Sequence, residues 1–100
     1  MRIAIPHHTT QENARRIVET RMAELERQYG HYASSIRKEW EGHKLDFGFS
    51  ARGMNANGTV EVTDSEVILD GKLPLLAKPF EPRIKSTIER EAETLFTRNA

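Results

Sequence analysis

An α+β fold, with a five-stranded antiparallel sheet and both helices on one of its faces in the order β-α-β-β-β-β-α, is what this sequence predicts from three observations. Two stretches, one near each end, carry apolar residues at three- and four-residue steps, the period of an amphipathic helix. Between them Leu45, Phe47 and Phe49, then Val60 and Val62, then Val67 and Leu69 alternate with polar residues, the period of strands with one buried face. Short turn-forming stretches separate these runs, too short for the crossovers that parallel strands need, so neighbours pair antiparallel.

The elements follow in order. Ile3 and Ile5 alternate with Arg2 and Ala4, and Pro6 ends this first strand. Thr9 and Glu12 have the three-residue spacing of a capping box and open a helix. Its stripe is Ala14, Ile17, Val18, Met22, Leu25 and Tyr29, and Gly30 closes it with a left-handed cap. Ile36 and Trp40 share one phase of a second strand, Gly42-His43 is a tight connection, and Leu45, Phe47 and Phe49 form the third. Asn55 to Gly58 reads as a turn, because Asn and Gly tolerate positive φ. Val60 with Val62 and, past Asp64-Ser65, Val67 with Leu69 complete the sheet, with Ile68 out of phase. Pro82 suits the first turn of a closing helix with stripe Ile84, Ile88, Ala92 and Leu95.

One phase of each strand is apolar: Ile3, Ile5, Ile36, Trp40, Leu45, Phe47, Phe49, Val60, Val62, Val67 and Leu69 are the expected core, under both helices. The other face is left open to solvent. It carries Glu39, Glu41, Asp46, Glu61, Glu66 and Asp70 against Arg37, Lys44, Arg52 and Lys72, with Ser50 and Ile68 among them.

Composition narrows the functions. One hundred residues hold one core and not two, so the chain, residues 1–100, is read as one domain. Hydrophobic residues at 37% suffice for a thin two-layer core, and 15 basic against 15 acidic residues produce no bulk field toward nucleic acid or anionic lipid. Cysteine is absent, which excludes disulfides, thiolate metal sites and cysteine nucleophiles and accords with a reducing cytoplasm. The first residues lack the apolar run of a signal peptide, and no stretch approaches the roughly 18 apolar residues of a membrane span. A cytoplasmic protein is expected.

The chemistry-bearing residues do not assemble into a motif. His7 and His8 are adjacent and point apart on an extended chain, while His31 and His43 fall in loops, so exposed loop histidines are expected and no metal site. The acidic residues alternate onto an open face rather than into a cleft that would raise one carboxyl pKa, which argues against paired-carboxylate catalysis. Serines occur without a strand-turn-helix elbow, and Gly53, Gly58 and Gly71 lack the spacing of a phosphate loop. Trp40, Phe47 and Phe49 share the phase of the core valines, so a base-stacking platform is not expected, nor is any cofactor.

Residues 73–80 stand out, an apolar run with two prolines and no regular period. Leu73, Leu75, Leu76 and Phe80 are its candidate partner-binding residues; the competing reading, favoured because core volume is scarce at this size, is a link folded over the core's edge.

Trp40-Glu41-Gly42, Leu45-Asp46-Phe47, Gly58-Thr59-Val60-Glu61-Val62, Val67-Ile68-Leu69, the leucines of residues 73–76 and the helix bearing Ile84, Ile88 and Glu89 form a pattern spanning most of the chain. It resembles the polyhydroxyalkanoic acid system family, small bacterial proteins associated with storage-polyester granules. The resemblance implies a cytoplasmic, non-enzymatic protein acting at the granule surface or on a granule protein, and it carries over no catalytic residue. The element order also resembles one half of the TATA-box-binding protein and small helix-grip domains, an analogy of fold alone. It supplies the alternative function, a small-molecule-binding or enzymatic domain with a cavity between sheet and helices. A nucleic-acid partner is not expected, because the open face is net acidic.

Overall fold

A computed structural model of the chain describes residues 1–99. It contains β1 (Arg2–Pro6), α1 (Gln11–Tyr29), a 3-10 turn (Gly30–Tyr32), β2 (Ser35–Glu41), β3 (Lys44–Ala51), β4 (Met54–Val62), β5 (Glu66–Lys72), a second 3-10 segment (Leu75–Phe80) and α2 (Glu81–Asn99). The strands form one antiparallel sheet in the order β1-β5-β4-β3-β2. The meander β2 to β5 is sequential, and β1 adds beside β5, so α1 carries the chain from one sheet edge to the other.

Two hairpin turns hold the register, each with the backbone sign that matches strand twist. Gly42 at φ 61 followed by His43 without positive φ gives a type II′ turn between β2 and β3. Arg52 at φ 53 and Gly53 at φ 76 give a type I′ turn between β3 and β4. The expected turn at Asn55 to Gly58 is therefore displaced: these residues lie within β4, paired with Phe47 to Ser50. Gly58 is needed there for a different reason. A Cβ on it would meet the Asp70 carbonyl oxygen and lie 2.8 Å from Gly71 Cα, so it permits the close approach of β4 and β5.

Both helix ends also depart from expectation. The N-cap of α1 is Thr10, which accepts from Asn13 N at 3.1 Å, while Thr9 Oγ1 accepts from Asn13 Nδ2 at 3.0 Å. Gly30 is right-handed at φ −58, because the chain tightens into the 3-10 turn instead of reversing.

The core comprises Ile3, Ile5, Leu45, Val60, Val62 and Val67 from the sheet, with Ala14, Val18 and Phe96 laid over them. Trp40, Phe47 and Leu69 are half-buried and pack against it. Phe96, adjacent to the expected Leu95, takes the deeper place and fills the space between α2 and the sheet. Ile36 and Phe49 lie on the expected face but are 41% and 47% exposed, and Tyr29 at the end of the α1 stripe is exposed too.

The helices cross the sheet in opposite senses. At the start of α1, Gln11 Nε2 donates to Val62 O at 2.9 Å, and its far end brings Gly30 against Ile36. At the start of α2, Glu81 lies 3.4 Å from Met1 N, and its far end brings the Phe96 ring to a tilted approach on His7, centroids 6.4 Å apart.

Candidate functional site

The sheet has a closed end and an open end, and the difference decides which residues can act outward. At the closed end, β1, β3 and β5 meet the β4–β5 turn under Phe96. His7, expected on an exposed loop, is fully buried there. Its Nε2 donates to Thr63 O at 2.9 Å and its Nδ1 accepts from Thr9 N at 3.2 Å. A carbonyl can only accept and a backbone N–H only donate, so these partners select the neutral Nε2–H tautomer. Both ring nitrogens are used, and His7 is a structural clasp between the β1–α1 loop and the β4–β5 turn.

Beside it His43 Nε2 lies 2.7 Å from Glu12 Oε1, at the rim of a shallow hollow of about 440 Å³ lined by Gln11, Glu41, Lys44, Glu61 and Asp64. The hollow is open and its charges are mixed. Among the described residues no three His, Asp or Glu side chains gather where they could hold a metal ion. A second hollow, about 260 Å³, lies between the helices along Arg16, Ile17, Arg21 and Leu95. Between the helices and the sheet lie the packed core side chains, among them Leu45, Val60 and Phe96.

The open end is where β2 and β4 begin and β3 and β5 finish. Register explains its exposure: β5 pairs with β4 only from Asn57 to Val62, so Met54, Asn55 and Ala56 pair with β3 alone and the β3–β4 tip overhangs. Ile36, Phe49 and Met54 consequently keep 40–47% of their surface. Tyr29 and Tyr32 flank the start of β2, 59% and 63% exposed. From the end of β5 the chain enters the 3-10 segment, where Leu75 is 81%, Leu76 76% and Phe80 57% exposed. The link is thus not folded over the core, as core scarcity had favoured. Pro74 and Pro79 restrict the backbone, and Ala77 N donates to Pro74 O at 2.9 Å, so the local turn projects its side chains outward. Of the four candidate residues only Leu73 is half-buried. The sequence reading missed Ile36, Phe49, Tyr29, Tyr32 and Met54 as exposed groups of the same end, because placing the turn at Asn55 concealed the overhang. The Arg52-Gly53 pair was the available signal.

The outer face matches expectation apart from Arg52, which sits in the turn. Arg37 Nη2 is 3.0 Å from Asp46 Oδ1 across the strands, whereas Glu39 stands directly opposite Asp46. Among the described residues no helix is long and apolar enough to cross a membrane.

Fold and surface define a class: a small α+β protein with one sheet, one helix layer and exposed apolar side chains spread along one end of the sheet. Within that class, the chain belongs to the family described as "Putative polyhydroxyalkanoic acid system protein", whose pattern matches residues 1–96. No curated protein and no solved structure matches the chain.

Proposed function

We propose that this protein is a non-enzymatic accessory protein of polyhydroxyalkanoate metabolism that docks on the granule, at its surface or on a protein there, through the 3-10 segment Leu75–Phe80. The observation that carries the reading is the exposure of Leu75 and Leu76, at 81% and 76%, on a proline-restricted turn. Two adjacent leucines held almost wholly in water contribute little to the fold. Buried against an apolar partner, each would contribute about 1.5–3 kcal/mol. Family membership supplies the context, the polyhydroxyalkanoic acid system.

The test is co-sedimentation of the purified protein with isolated polyhydroxyalkanoate granules. Leu75→Ser with Leu76→Ser should weaken retention by about 100-fold or more while leaving the circular dichroism and denaturation midpoint unchanged. Undiminished retention of this double variant overturns the reading.

A further inference from the structure

We propose that the free edge of β2 is a homodimer interface, in which a second copy of this chain adds its own β2 antiparallel, in a register centred on Lys38, to make one ten-stranded sheet. The backbone is the starting point. In a two-residue hairpin the closing pair, here Glu41 and Lys44, exchanges hydrogen bonds, and bonded pairs then alternate along the strand. Glu39 and Arg37 therefore turn their backbone groups toward β3, and Ile36, Lys38 and Trp40 turn theirs outward. β2 is the last strand of the sheet, so these outward groups face no other strand. An antiparallel partner can bond them only if residue numbers across the new seam sum to an even value.

Side chains then choose among the even registers. Centred on Lys38, Arg37 stands opposite Glu39 of the second copy, and Glu39 opposite its Arg37, while Ile36 and Trp40 pair on the inner face. A slip by one pair in either direction sets Arg37 against Arg37 or Glu39 against Glu39. Charges on an edge strand commonly discourage pairing, but here they also discriminate between registers.

Two features of the single chain support this register. Glu39 faces the like charge of Asp46 and, among the described residues, forms no ion pair, so a second guanidinium would relieve a repulsion already present. Arg37 holds Asp46 with one nitrogen, and a guanidinium has further donors to offer. Lys38 would meet its own copy on the inner face, but its Nζ lies 2.5 Å from Glu26 Oε2 of α1 and its charge is already compensated. Ile36, 41% exposed in one chain, would be covered by the partly buried Trp40 of the other. α1 runs above β2, with Arg15 over Trp40 at 4.5 Å and Glu26 at Lys38, so the two α1 helices would come alongside each other in opposite directions and enlarge the contact.

The test is sedimentation equilibrium of the wild type and of charge variants at matched concentration and low salt. The wild type should dimerise, and Arg37→Glu and Glu39→Arg should each raise the dissociation constant by at least about tenfold, with circular dichroism unchanged. Mixing the two single variants should restore association as a heterodimer, because one chain then presents two acids and the other two bases at the seam. That rescue shows that the loss in each single variant comes from charge at the seam and not from a damaged fold. A wild type that stays monomeric throughout, or single variants that dimerise as well as it does, would overturn the proposal.

Discussion

Within one strand, Leu45, Phe47 and Phe49 share a phase and differ in how closely each is covered: the first is fully buried, the second half-buried and the third 47% exposed. Alternation in the sequence identifies the face a residue occupies, and it contains no information about how far along that face the cover extends. This is why Leu45 and Phe49 read alike from the sequence. The expected energetic consequence runs against side-chain size. Leu45→Ala should cost about 2–5 kcal/mol, the range for a leucine removed from a closed core, whereas Phe49→Ala should cost less, about 1–2 kcal/mol, despite removing more atoms. Denaturation midpoints of the two variants decide it, and equal shifts would mean that Phe49 is packed as closely as Leu45. His7 shows the opposite failure of sequence reasoning. A histidine after a strand-ending proline has the pattern of a solvated loop, and only the three-dimensional return of the β4–β5 turn brings Thr63 O to its Nε2 at 2.9 Å. The contact spans 56 positions in the chain, beyond the reach of any local pattern.

Elements were legible where two local signals agreed. Periodicity plus a stopping residue placed β1 and α1 within a residue or two, and Gly42 marked the first hairpin correctly. The second hairpin was misplaced because Asn-Gly is the stronger local turn former, yet Arg52-Gly53 holds the turn and Gly58 serves strand contact. The two glycines therefore fail differently when altered. Gly53→Ala meets no neighbour within 4 Å and suffers only the strain of φ 76, a cost of about 1 kcal/mol. Gly58→Ala must push β4 away from Asp70 and Gly71, backbone against backbone, and should cost about 1–3 kcal/mol or more. Chemical denaturation of both variants checks the order; a larger loss at Gly53 would show that the approach of β4 and β5 at Gly58 is not the tighter constraint.

At the scale of the molecule, burial is graded along the strands. The closed end carries Ile5, His7, Leu45, Val62, Val67 and Phe96, all buried, while the open end carries the overhanging β3–β4 tip and the exposed leucines. The functional residues proposed at the open end contribute little to the core, as surfaces available for docking must. Local stability should follow the same gradient. Because Ala51 and Met54 close the second hairpin, bonded pairs alternate back along β3 and β4: Phe49 with Ala56, Phe47 with Gly58, Leu45 with Val60. The first and last of these pairs have the same hydrogen-bond pattern on the same face of the same ladder. They differ in what surrounds them. Leu45 and Val60 are covered by the helices and flanked by β5, so their amides should exchange only when the whole domain unfolds, with an opening free energy of about 5 kcal/mol or more. Phe49 and Ala56 have no β5 neighbour, and the tip can open with almost no new apolar surface exposed. Their amides should exchange through local opening at about 1–3 kcal/mol, with almost no dependence on denaturant, since that dependence scales with the surface exposed. Native-state hydrogen exchange followed by NMR measures all four amides in one experiment. Equal protection, with equal denaturant dependence at both pairs, would show that the open end unfolds only together with the core.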